Sequence, residues 1–253
     1  MKVNEIICGD TEPTLKRFAD GWVDIVITSP PYWNQKSYSF WPKYSQYLES
    51  VGFWLLQIYR VLSPGRHCFW VIPDKLPWPP RENGTKERKY LPVYADTERI
   101  AAKIGFSCEY PIIWKKPHGT QKMFGSYPYP PTIIHTPMTE RICVWKKPGT
   151  YMRRPKEMKD ASKITKEQWV EYGQDFWEVR PETRSDHPAP FPEELVRRVL
   201  TLWSFKSDLV LDPFVGSGTT AVVAKEMNRD YIGIDYTKEY CDIANERLAL
   251  VER

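Results

Sequence analysis

The chain has 253 residues, a formal net charge of +4 and 42% hydrophobic residues, enough for one large α/β core. It holds no run of about 18 apolar residues, which excludes a membrane-spanning helix, and no signal-peptide pattern at Met1-Lys2-Val3-Asn4-Glu5, so a soluble prokaryotic cytoplasmic protein is expected. Cys8, Cys68, Cys108, Cys143 and Cys241 are widely spaced with no CxxC pair, so reduced thiols are expected, with no disulfide framework and no metal site.

In chain order, Glu5–Cys8 reads as a short strand and Thr14–Phe18 as a short helix. Val23–Thr28 (VDIVIT) is a β-branched run, the pattern of a strand buried on both faces. Tyr47, Val51, Trp54, Leu55, Ile58 and Leu62 have helical spacing over 44–62. Ser63-Pro64-Gly65 ends that helix before a strand at His67–Ile72. A proline-rich loop over 73–92 leads to a helix at Tyr94–Ile104, stopped by Gly105. A strand at Cys108–Trp114 precedes an irregular stretch, Lys115–Pro131. Ile133–Thr136 and Arg141–Trp145 read as a hairpin. After a basic, aromatic-rich segment come a helix at Pro192–Trp203, a strand at Asp208–Leu211 and a helix at Thr219–Met227. A strand at Tyr231–Ile234 and a helix at Lys238–Val251 finish the chain. Alternation of this kind predicts an α/β fold: a doubly wound, mostly parallel sheet with an antiparallel edge hairpin.

Two segments carry chemistry. Leu209-Val210-Leu211-Asp212-Pro213-Phe214-Val215-Gly216-Ser217-Gly218-Thr219-Thr220-Ala221 is a strand, a glycine turn and a helix start. Gly216 and Gly218 let backbone approach a ligand, and Asp235 at the next strand tip suits ribose hydroxyls. A P-loop is excluded because no GK[ST] follows. A dinucleotide site, as in an NAD(P)-dependent oxidoreductase, stays open. The acid Asp212 favours an adenosyl ligand with a cationic methionine end over a pyrophosphate. Only 18 residues follow Asp235, so the remaining strands must come from the N-terminal half. The order is that of a circularly permuted fold, with the cofactor half last.

The second segment is Thr28-Ser29-Pro30-Pro31-Tyr32-Trp33, directly after a buried strand. Ligands in open α/β sheets sit beyond strand carboxyl ends. Ser29 Oγ and the Pro30 carbonyl can accept both N–H groups of an exocyclic base amine, drawing its nitrogen toward tetrahedral geometry. Tyr32 can stack on a base flipped out of duplex DNA. Carbon-5 methylation of cytosine needs a nucleophilic cysteine, usually after proline, and no Pro-Cys dipeptide occurs.

Together, Ser29-Pro30-Pro31-Tyr32 and Asp212–Thr220 resemble the motifs of the amino-methyltransferases of bacterial and archaeal restriction–modification systems, in their permuted β-class order. The resemblance covers nearly the whole chain. It implies a Rossmann-like S-adenosylmethionine-dependent fold in one catalytic domain, 1–253. Catalysis falls to Ser29, Pro30, Pro31 and Tyr32. Cofactor binding falls to Asp10, Thr28, Asp212, Phe214, Gly216, Ser217, Gly218, Thr219, Thr220, Asp235 and Tyr236, with His187 and Pro188 before the helix over the methionine end. A target-recognition insert is expected at about 146–186, where Lys146, Lys147, Arg153, Arg154 and Lys156 form a basic cluster suited to phosphate. Ser before Pro-Pro-Tyr points to cytosine N4, with adenine N6 as the rival target. A DNA-binding subunit that keeps the fold without turnover is the non-enzyme alternative. The partner implied is double-stranded DNA; a cognate restriction endonuclease and a second copy of the chain are compatible with the resemblance.

Overall fold

The computed structural model describes residues 2–33, 41–77, 90–117, 128–129, 137–181 and 192–252. The strands are β1 (Glu5–Cys8), β2 (Val23–Thr28), β3 (Leu62–Ile72), β4 (Leu76–Pro77), β5 (Tyr90–Leu91), β6 (Ser107–Cys108), β7 (Ile112–Lys115), β8 (Thr139–Lys146), β9 (Phe176–Glu178), β10 (Leu209–Asp212) and β11 (Asp230–Asp235). The helices are α1 (Thr11–Lys16), α2 (Tyr44–Val61), α3 (Val93–Ile104), α4 (Lys156–Ala161), α5 (Lys166–Tyr172), α6 (Glu193–Trp203), α7 (Thr219–Glu226) and α8 (Lys238–Ala249). Among the described residues one nine-stranded sheet runs β1-β11-β10-β2-β3-β8-β7-β9, with β6 also paired to β8. Its pairs are parallel except where β8 runs against β3, β6 and β7.

Alternation along the strands divides the core between two faces. Cys68, Trp70 and Ile72 of β3 pack with α1, α2 and α3, whereas Phe69 and Val71 pack with α6, α7 and α8. A register shift between Val23 and Ile25 puts these two residues into different cores despite their spacing of two. From β10 the chain winds outward to β11 by way of α7, and from β2 it winds the other way to β3 by way of α2. The strand direction of travel therefore reverses between β10 and β2, and a crevice opens at their carboxyl ends. The N-terminal β1 completes the far side by pairing with β11, as the permuted order requires.

The structure departs from the sequence reading in several places. The first helix starts at Thr11, because Pro13 is tolerated in a first turn where no N–H is needed. The strand expected at Cys108–Trp114 splits into β6 and β7 around Pro111, which has no N–H for the ladder. Of the expected hairpin, residues 133–136 lie outside the described residues. Arg141–Trp145 belongs to β8, which with β7 makes the antiparallel pair toward the β9 end of the sheet. The described part of the expected insert, 146–181, folds back onto the sheet. It forms α4, α5 and β9, pairs β9 with β7, and buries Trp177 completely, its indole N–H donating to the Tyr172 carbonyl at 3.0 Å. Among the described residues no helix is long and apolar enough to cross a membrane.

Candidate active site

The crevice between β10 and β2 is tied together by one buried carboxylate. Asp212 ends β10 and accepts from the Thr28 hydroxyl at 2.6 Å, the Thr220 hydroxyl at 2.6 Å and the Phe214 N–H at 3.0 Å. Thr28 ends β2, so a single side chain joins the strand bearing Ser29 to the strand bearing the glycine turn. Burial pushes the Asp212 carboxyl up to about 6; its three hydrogen bonds oppose this and the charge of Asp235 adds to it. Behind the turn, the Phe214 ring meets Trp54 edge-on at 4.8 Å and borders the core with Trp70.

The glycine turn leans on Asp235. The Gly216 N–H, at φ 51°, donates to one carboxylate oxygen at 3.1 Å, and the Thr237 N–H donates to the other at 2.8 Å. Thr11, at the start of α1, donates to the Pro213 carbonyl at 2.7 Å, which brings the exposed Asp10 to the rim of the same crevice. Asp10 makes no side-chain cap to its own helix. Tyr236 is half exposed beside Asp235.

These residues fit an adenosyl ligand ending in a cation. Carboxylates stand at the rim for hydroxyl donors, an aromatic ring lines the turn, and a buried carboxylate lies beneath. A pyrophosphate fits poorly, because the Gly216 N–H it would need is given to Asp235 and Asp212 would repel it. Gly218, Ser217 and Thr219 also join α7 to α8. At Gly218 a Cβ would lie 2.7 Å from the Ala244 Cβ, and φ is 87°, so glycine there permits α7 to pack on α8. The Ser217 carbonyl and Thr219 hydroxyl both accept from Arg247 of α8, at 2.6 and 3.1 Å. His187 and Pro188 lie outside the described residues.

Across the crevice, Pro30 is buried while Ser29, Pro31 and Tyr32 are half-buried. The following Trp33 is wholly buried and donates to the Trp41 carbonyl at 3.1 Å, which anchors the turn. The Tyr32 hydroxyl lies 3.0 Å from Ser29 Oγ, 3.3 Å from the Val71 carbonyl and 3.5 Å from Glu140 Oε2. Burial of the phenol and then the Glu140 charge push its pKa far up, so it remains a donor. Glu140 is ion-paired with Lys116, whose ammonium stands 4.4 Å over the Trp114 ring. Neither Glu140 nor Lys116 was singled out from the sequence. Glu140 looked like a turn residue; only the β3–β8–β7 pairing brings it to the tip of β2.

The basic cluster is at the other end of the sheet. Arg154 pairs with Asp24 and with Asp208 (2.7 Å), at the amino ends of β2 and β10, alongside the buried Arg66. Five residues of strand, about 16 Å, separate Asp24 from Ser29. Lys147 donates to the Leu62 carbonyl at 2.7 Å and lies over the Tyr59 ring. Lys146 closes β8 opposite His67. Arg153 and Lys156 stay exposed, but on this same remote segment. Arg154 and Lys147 thus take part in the fold's own ion pairs and hydrogen bonds at this end of the sheet.

The chain is similar to several known proteins. Residues 23–246 match the family model described as DNA methylase, which groups N6 and N4 methyltransferases. The type II methyltransferase M.HpaI of Haemophilus parainfluenzae is 32% identical over 256 residues, 96% of this chain and 73% of that protein. The orphan methyltransferase M.BamHII of Bacillus amyloliquefaciens is 30% identical over 257 residues, 92% and 91% of the two chains. A provisional DNA modification methylase of Thermus thermophilus, solved with S-adenosyl-L-methionine, superposes with a TM-score of 0.82 at 31% identity, over 97% of this chain and 93% of that one.

Proposed function

As this chain belongs to the DNA methylase family, we propose that it transfers a methyl group from S-adenosylmethionine to the N4 amine of cytosine in double-stranded DNA, within a restriction–modification setting. One observation carries the reading: the Thr28–Asp212 bond joins the Ser29-Pro30-Pro31-Tyr32 turn to the glycine turn at the sheet's switch point. S-adenosylmethionine, when bound, supplies an electrophilic methyl on a sulfonium. Asp235 and Asp10 hold its ribose and adenine side, Phe214 gives an apolar wall, and Asp212 faces its positive charge. On the DNA side, a cytosine flipped from the duplex stacks on Tyr32. Ser29 Oγ and the Pro30 carbonyl accept from its two amine hydrogens. That interaction bends the nitrogen out of conjugation and aims its lone pair, so the chain contributes orientation rather than a covalent intermediate. Ser29 favours cytosine, and the absence of a Pro-Cys dipeptide disfavours carbon-5 chemistry.

The test is to incubate the chain with duplex DNA and methyl-labelled S-adenosylmethionine, digest to nucleosides and identify the product by mass spectrometry. N4-methylcytosine is expected. N6-methyladenine would overturn the choice of base and keep the amine; 5-methylcytosine or no labelled base would overturn the amine reading itself.

A further inference from the structure

The hydrogen bond between Ser29 and Tyr32 can run in either direction, since each hydroxyl can donate to the other across 3.0 Å. The choice matters, because a serine hydroxyl has one hydrogen and two lone pairs. If Ser29 donates to Tyr32, both Ser29 lone pairs are left to receive an amine hydrogen. If Tyr32 donates to Ser29, one lone pair is consumed and the Ser29 hydrogen swings toward the amine. We infer that Glu140 is a positioning residue that sets this direction, by accepting the Tyr32 hydrogen bond and so favouring Ser29 as donor to the Tyr32 oxygen.

Three elements converge to make the device. Tyr32 comes from the tip of β2, Glu140 from the start of β8, and Lys116 from just beyond β7. Two acceptors face the Tyr32 hydroxyl besides Ser29: the neutral Val71 carbonyl and the Glu140 carboxylate. A hydrogen bond to an anion is the stronger of the two. The carboxylate is acceptor-only, so it cannot present a hydrogen to Tyr32. Lys116 holds one side of it, and β8 sets Glu140 opposite Trp114, under the same ammonium. Burial keeps the phenol protonated, so a proton is always present to be directed.

The substitution Glu140→Gln removes the anionic acceptor without changing the shape of the site. Lys116 has only hydrogens to offer, so the new amide turns its oxygen to Lys116 and its NH2 to Tyr32. Tyr32 then accepts from the amide, and its own hydrogen is divided between Ser29 and the Val71 carbonyl, so no anion holds Ser29 as the donor. This inference rests on amine methylation as proposed above, and the experiment separates the two. Steady-state kinetics are measured for the wild-type chain, E140Q, Tyr32→Phe and the double variant, with cofactor affinity measured alongside. E140Q should lower kcat about tenfold or more, the scale of one charged hydrogen bond, with KM for DNA and cofactor affinity unchanged. In the Tyr32→Phe background, where no phenol proton remains to direct, E140Q should have no further effect. Should E140Q fail to fold, Glu140→Met replaces it in the same comparison. Equal losses from E140Q with and without the Tyr32 hydroxyl, or a loss confined to KM, would overturn the inference while amine methylation stood. A wild-type chain that methylates no base amine would overturn both.

Discussion

Replacing Asp212 by Asn should make the protein more stable in neutral solution and worse at holding its cofactor. Asp212 is buried at the base of the crevice, and the amide can keep its bonds to Thr28, Phe214 and Thr220, since the Thr220 hydroxyl can rotate to accept. What the substitution removes is the buried charge. Burial raises the carboxyl from its ordinary 3.8 to about 6. The folded chain therefore holds this proton more tightly than the unfolded chain. The stability this supplies is fully present below 3.8 and is lost as pH rises toward 6, with a plateau above. At about 1.4 kcal/mol per decade of proton affinity, the full loss is about 3 kcal/mol, of which about 2 kcal/mol falls between about pH 4.5 and pH 8. The Asn variant escapes that loss. Thermal unfolding of both proteins at the two pH values isolates it, because all other titrating groups cancel in the difference. The Asn variant should gain about 4 to 8 °C on wild type between about pH 4.5 and pH 8. In the proposed placement the same charge faces a sulfonium, so S-adenosylmethionine should bind the variant at least about tenfold more weakly at about pH 8, a difference of about 1.4 kcal/mol. Parallel pH curves for the two proteins would refute the reasoning, as would equal cofactor affinity.

Two other substitutions test the structural assignments. Gly218→Ala places a methyl 2.7 Å from the Ala244 Cβ at φ 87°, so it should cost about 2 to 4 kcal/mol in urea unfolding; a neutral effect would mean that α7 and α8 do not pack as closely as this. Arg154→Ala removes one of two guanidinium partners from the fully buried Asp208 and should cost about 3 kcal/mol. DNA affinity and its salt dependence should stay as in wild type, whereas a shallower salt slope at unchanged stability would return Arg154 to a phosphate-binding role.

Local patterns were enough for much of the fold. The runs at Val23–Thr28 and Asp208–Leu211 read as buried strands because both faces of a parallel sheet are covered. The β8 pairing was not legible, since residues 139–146 find partners on β3 and β7 that no short-range period specifies. The small elements α4, α5 and β9 escaped notice because six, seven and three residues are too few to show a period. The basic cluster misled for a related reason. Composition counts charges, but Arg154 and Lys147 meet their counter-charges and carbonyls only across 54 to 130 residues of chain.

By itself the sequence determined the two turns, because a proline-fixed strand tip and a glycine turn before a helix are local geometries that a few residues impose. Only the tertiary structure decided how they work together. The Thr28–Asp212 bond spans 184 residues, and Glu140 reaches Tyr32 across 108. Such pairings depend on strand order and register, which follow from how the whole apolar pattern packs rather than from any segment of it.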